Sequence, residues 1–411
     1  MEKSLQKMLK IFSTYKLLVL LLILPFTVIG KNIDLSKNAN KTQISILTCD
    51  PGNEIYSLFG HSALRILNAE DQIDLVVNWG LFQFSENQFD FGYDFAKGRL
   101  NYYMGIQPMS NFISEYSRKK RGVREQVLNL NKEEKLKLLT LVIENYQPEN
   151  RNYQYEFFYD NCSSRIRDLL VKVYGKNLLF DHSELANKYT FREIIRTYLK
   201  YNPWLELGID LVLGKKIDVL VSNNNLMFLP DKVESILAKS LVQSGLEKKN
   251  IVLSKSTIIE SNILKKDEEN IVLYSWAVFF ITLVLLYFKD EKLIFSWSII
   301  NLTLLVLLSI ILIFMWVGTN HQATKLNFNL LWSSPLHFIL IYSILKKRWN
   351  KFTYWFLIFS LFMIFTTILF WFALIQEFNP FVKPIILQLA LIYYYYFKKC
   401  KNHMNLNKTN G

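Results

Sequence analysis

The stretch Phe-Phe-Tyr-Asp-Asn-Cys-Ser-Ser-Arg-Ile-Arg-Asp-Leu-Leu, residues 157–170, drops a single cysteine, Cys162, onto the start of an amphipathic helix. Downstream, Ile166, Leu169, Leu170 and Val173 recur at helical spacing, and Asn161 just upstream is a good N-cap. A thiol in the first turn of a helix meets unpaired N–H groups and the positive end of the dipole, which lower its pKa and favour the thiolate. Nucleophilic chemistry also needs a base, and without one Cys162 reads as a buried structural thiol.

Around this stretch, the 411-residue chain is 51% hydrophobic and 15% aromatic, with a formal net charge of +13. Residues 31–270 have the mixed composition of a globular sequence, whereas 271–397 are almost unbroken apolar and aromatic residues. The combination predicts a soluble domain joined to membrane spans. The lysines and arginines cluster beside apolar segments, where they set membrane orientation, so no nucleic-acid partner is expected. Three cysteines, Cys49, Cys162 and Cys400, do not make a disulfide framework.

Residues 1–30, with Lys3, Lys7, Lys10 and Lys16 ahead of the apolar run 17–30, read as a signal sequence or signal anchor that sends the following domain across the membrane. Residues 31–246 read as an α+β extracytoplasmic domain. Strands are predicted at 43–48, from His61, at 73–78 and at 123–130; glycine-punctuated loops and strands at 79–103 cover the sheet. Helices are predicted at 111–120, from Asn131 to about Tyr146, from Cys162, and at 191–201, 204–213 and 230–239. The polar stretch 247–270 reads as a linker, and 271–411 as an all-α membrane domain with a cytoplasmic tail. Five runs there, 271–288, 293–317, 328–345, 353–375 and 380–397, are each long enough to span. The loops at 289–292 and 346–351 and the tail from Lys398 are rich in lysine or arginine, which places them in the cytoplasm together with Cys400.

Five histidines are available as the base: His61, His182, His321, His337 and His403. His403 lies in the tail, His337 within an apolar run, and His182 in a loop-like stretch without a partner motif. His61 follows Gly60, which permits close backbone approach, and its strand presents alternate side chains to one face. A helix-start cysteine facing a strand-borne histidine is the papain-like arrangement, here in circularly permuted order, histidine first. Asn78, at a strand end, either orients the imidazole or closes a turn. Arg65 is open to a lipid phosphate or to a salt bridge. Arg165, with Arg167, either favours an anion near the thiol or is a solvated helix residue. Cys49 is a core thiol or a disulfide partner that would silence Cys162. The loop 318–329 carries His321 at the membrane surface, as a connector or as a docking and acyl-guiding element. Zinc-type ligand clusters are absent from the sequence, so no metal or cofactor is expected.

Residues 46–66, 90–100, 159–165, 227–231 and 321–335 together resemble the Lnb family of bacterial lipoprotein N-acyltransferases. The resemblance spans most of the chain, including the layout of a periplasmic domain followed by several spans. It implies a permuted thiol-hydrolase-like domain, distantly similar to NlpC-type cell-wall peptidases and lecithin:retinol acyltransferase, held on the periplasmic side of the inner membrane. It implies His61 as base and Cys162 as nucleophile, a phospholipid as acyl donor and a lipoprotein as acceptor; the helix start itself offers backbone N–H groups near Ser163 as an oxyanion hole. From the residues alone, a membrane-tethered peptidase or amidase acting on cell-wall peptide, and a non-enzymatic membrane assembly module, remain open.

Overall fold

Alternating apolar residues build the centre of the fold. In the computed structural model, which describes residues 38–82, 93–94, 96–181, 183, 188–261, 269–369, 371, 373 and 376–409, the segment Gln43–Cys49 forms strand β1, buried at all but its first position. The leader at 1–30, His182 and, within the loops and strands expected at 79–103, residues 83–92 and 95 lie outside the described residues. β1 sits inside a seven-stranded antiparallel sheet with β2 (His61–Asn68), β3 (Ile73–Phe82), β4 (Asn101–Pro108), β5 (Val123–Leu128), β6 (Asn152–Gln154) and β10 (Val252–Ile259), in the order β10-β5-β1-β2-β3-β4-β6. With strands on both sides and helices over both faces, β1 is buried on both faces: Ile44, Ile46 and Leu47 are fully buried, and so is Ser45.

One face is covered by α1 (Met109–Arg118), whose Phe112 and Tyr116 pack on Leu47, Cys49, Ala63 and Val76. α2 (Lys132–Tyr146) starts at Asn131 with a full capping box to Glu134, as the sequence predicts. The cysteine helix α3 (Cys162–Tyr174) packs on β2 and on α2, burying Ile166 and Leu170 completely. α4 (Phe191–Leu199), α5 (Pro203–Val212) and α6 (Pro230–Leu237) follow; the last two open on proline, whose missing N–H costs nothing in a first turn.

Residues 247–259 do not form the linker expected for 247–270 from its polarity. β8 (Leu241–Ser244) and β9 (Glu247–Asn250) form a hairpin beside β7 (Leu178–Leu179), and β10 then pairs with β5. β10 is an edge strand whose middle residues are exposed, so the backbone ladder holds it and its side chains carry no apolar pattern.

Gly60 ends the loop before β2 at φ +80°, and a Cβ there would lie 2.7 Å from the carbonyl oxygen of Cys49. Gly60→Ala is expected to destabilise the protein by about 1–3 kcal/mol and to displace His61. Thermal unfolding of the purified variant checks this.

The membrane-side helices are α7 (Val272–Phe288), α8 (Glu291–Val317), α9 (His337–Leu345), α10 (Lys351–Leu369) and α11 (Val382–Thr409). Among the described residues, α8 and α10 pass on both length and hydropathy for crossing a bilayer. The run 328–345 does not make one continuous span: it breaks into a 3-10 turn, Phe328–Leu331, capped by Asn327, and the nine-residue α9. At 1.5 Å per residue α9 is roughly 14 Å long, against about 30 Å of hydrocarbon. Asn329, Ser333 and Pro335 interrupt what composition alone reads as a single apolar run. The tail expected from Lys398 continues α11 as helix to Thr409.

Candidate functional site

The helix start predicted from Asn161 is built as a double anchor. Asn161 Oδ1 accepts from the backbone N–H of Ser163 and of Ser164, each at 2.9 Å, and Ser164 Oγ accepts from the Asn161 N–H at 2.8 Å. Its Nδ2 donates to the carbonyls of Phe157 and Phe228, both at 2.7 Å. One amide thus caps α3 and ties the cysteine loop to the segment before α6. Aromatic contacts reinforce the tie: Phe157 stands 4.6 Å from Phe59 and 5.7 Å from Phe228, centroid to centroid.

His61 opens β2 opposite Cys49, and Ala63 pairs with Asn78 on β3, so His61 and Asn78 are diagonal neighbours on one sheet face. Asn78 Oδ1 lies 3.1 Å from His61 Nε2. A carbonyl oxygen only accepts, so Nε2 carries a proton and Nδ1 is the nitrogen left for the thiol. His61 and Cys162 face each other closely enough for each to act on the charge of the other. Burial pushes the Cys162 thiol up, but the His61 charge, its hydrogen bond and the Ser62 N–H donated to sulfur outweigh burial and bring the thiol below its ordinary value. Burial likewise lowers His61, and the Cys162 charge with hydrogen bonds to Cys162 and Asn78 raises it above the ordinary imidazole value. Each partner therefore stabilises the ionised form of the other, the electrostatic signature of an activated thiol.

The other predicted residues fall into place as follows. Arg65 is spent within the sheet, with Nε and one terminal nitrogen on Asp74 at 2.8 Å and the other on Glu125 at 3.1 Å. Arg165 pairs with Asp160 at 2.5 and 2.6 Å and stacks 3.8 Å above the Tyr153 ring. Both are correctly positioned for structure rather than for an anionic substrate. Ser163 also departs from its expected oxyanion role: its N–H belongs to the Asn161 cap and its hydroxyl meets Ser62 Oγ at 2.9 Å. In the first turn the amide of Cys162 itself finds no acceptor among the described residues.

Cys49 and Cys162 are both free thiols. Burial pushes the Cys49 thiol up to about 12, with the Tyr116 hydrogen bond opposing, so it is protonated and inert at neutral pH. His337 is structural, its ring nitrogens facing Tyr393 Oη at 2.8 Å and the Trp332 carbonyl at 2.9 Å. His321 is brought to Gly98, whose added Cβ would meet its ring at 3.1 Å, and to Glu156, six positions before Cys162. Its loop is docked on the sheet-bearing domain: the Asn320 N–H donates to the Lys97 carbonyl at 2.9 Å and the Gly214 N–H to the Ala323 carbonyl at 2.9 Å. Ser62, whose backbone N–H faces the thiol and whose hydroxyl meets Ser163, carries no sequence signal beyond adjacency to His61.

Among the described residues no cluster of histidine, cysteine, aspartate or glutamate could hold a metal ion. Neither a curated protein nor a solved structure matches this chain. The family model described as the Lnb N-terminal periplasmic domain matches residues 31–198, the region that carries His61, Asn78 and Cys162. With the Lnb transmembrane domain matched in turn over residues 270–403, this chain is a membrane protein with a periplasmic N-terminal domain and belongs to the Lnb family.

Proposed function

We propose that the protein is a lipoprotein N-acyltransferase that works through an acyl-thioester on Cys162. The observation that carries this reading is the pairing of Cys162 with a His61 that is itself hydrogen-bonded to Asn78 at 3.1 Å, with the thiol held below and the imidazole above their ordinary values. The thiolate attacks the carbonyl of a membrane phospholipid ester, and the Cys162 amide donates to the developing oxyanion. Collapse expels the glycerol oxygen, which takes the proton from His61, and a lysophospholipid leaves. The α-amine of a diacylglyceryl-cysteine lipoprotein then attacks the thioester while His61 Nδ1 accepts its proton. The amide forms, and the thiolate is restored. A thioester is a good acyl donor to an amine, so one sulfur serves both half-reactions. Attachment to a multi-pass membrane domain in the inner membrane keeps the thiol near both lipid-borne substrates.

In this scheme Asn78 is a positioning residue. Asn78→Ala is expected to lower kcat roughly ten- to hundredfold with little change in KM, the usual cost of losing a group that orients a functional imidazole. Because the Asn78 hydrogen bond raises the His61 pKa, the alkaline limb of the pH profile should move to lower pH in the variant. A lost kcat with an unmoved limb would assign Asn78 to folding alone.

Mass spectrometry of lipoprotein N-termini tests the activity, in a strain with no other N-acyltransferase. Deleting this protein should convert triacylated N-termini to diacylated ones with free amines. Persistence of the amide-linked chain would overturn the reading, and an altered cell-wall peptide profile in its place would favour an amidase.

A further inference from the structure

A cavity of about 190 Å³ lies among the membrane-side helices, walled by Leu305 of α8 and Gln388 and Leu389 of α11, with Leu211, Trp332 and Phe381 also contributing. An engineered apolar cavity of about 150 Å³ admits benzene, so this volume accommodates a comparable length of hydrocarbon. The lining is apolar except for two amides. Asn301 spends its nitrogen on the Trp297 carbonyl at 2.8 Å. Gln388 is 2% exposed, and its Nε2 meets no acceptor among the described residues.

An unmet amide donor in an apolar wall is costly, and a hydrocarbon tail alone would leave it so. Gln388 stands six residues inside the first residue of α11, or roughly 9 Å at 1.5 Å per residue. An ester carbonyl at the head of a lipid acyl chain supplies the acceptor that a bare hydrocarbon tail lacks. Leu211 lies in the last turn of α5, and its carbonyl accepts from Asn327 Nδ2 at 2.7 Å and Asn329 Nδ2 at 3.0 Å.

We propose that this cavity holds the carbonyl-proximal end of one acyl chain of a phospholipid, with Gln388 Nε2 donating to its ester carbonyl. The inference rests on the acyl-transfer reading only in calling that lipid the donor. The test is photo-crosslinking of the full-length protein in vesicles containing a phosphatidylethanolamine whose acyl chain carries a diazirine. Label should map to α8 and α11 peptides around Leu305 and Leu389, and unlabelled phosphatidylethanolamine should compete for it. Leu305→Trp, which fills the space, should abolish the label. Gln388→Leu should reduce it about three- to tenfold, the worth of one hydrogen bond, without lowering the thermal midpoint, since it removes an unmet donor. Label scattered over the outer flanks of the helices and unmoved by either substitution would overturn the proposal. Labelling needs no turnover: cavity label in a protein that transfers no acyl chain supports this site and overturns the catalytic reading alone.

Discussion

Cys162→Ser is expected to lower acyl transfer by at least ~10³-fold, as removing the nucleophile of a coupled pair does, while leaving the fold intact. The substitution is nearly isosteric at a position 7% exposed, and the Asn161 cap does not use the side chain at 162. What changes is the acid–base match. The environment brings a thiol within range of the imidazole, whereas a hydroxyl starts several units further up and stays protonated beside His61. The expected result is a well-folded protein, with a thermal midpoint near the parent, that neither transfers acyl chains nor reacts with iodoacetamide at this site. Parental transfer by the serine variant would remove Cys162 from the reaction.

His61→Gln is the second large effect, with a loss of roughly 10²–10⁴-fold in kcat/KM, the range for a positioned general acid–base group. The sign of the pH dependence is fixed by the two shifts. Cys162 lies below its ordinary value, so activity is lost as pH falls through that depressed value and the thiolate protonates. His61 lies above its ordinary value, so activity is lost again as pH rises through that raised value and the imidazolium gives up its proton. Glutamine keeps an amide near Asn78 but supplies no charge, leaving burial as the dominant influence on the thiol. Its pKa should then rise above the ordinary range, about 8.5, and the acid limb of alkylation should move to higher pH. An unshifted limb would mean that the Asn161 cap, not His61, activates the sulfur.

Much of this site was legible in the sequence because it is local. Asn161 and the helical spacing after Cys162 specify a capped helix, and Gly60 before an alternating strand specifies where His61 stands. Alternation and long apolar runs also report burial, so β1 and the helices α8 and α10 are recoverable as elements, though α10 ends at Leu369 within the run 353–375. The register that lays Asn78 diagonally across from His61 depends on long-range pairing, which periodicity does not encode. The same limit hid the roles of Arg65 and Arg165: their partners Asp74, Glu125 and Asp160 become neighbours only once strands and turns are assembled. β10 was missed because an edge strand is held by its backbone and shows no apolar pattern. α9 was merged into a longer span because window hydropathy averages over Asn329, Ser333 and Pro335.

The central claim is that Cys162 carries the acyl group. Full-length protein incubated with a phospholipid of one defined acyl chain, without acceptor, and then digested for mass spectrometry tests it most directly. The account predicts a Cys162 peptide heavier by that acyl group, cleaved by neutral hydroxylamine and discharged by a diacylated lipopeptide, with Cys49 unmodified. N-acyl transfer that proceeds at full rate while the Cys162 peptide stays unacylated would contradict it.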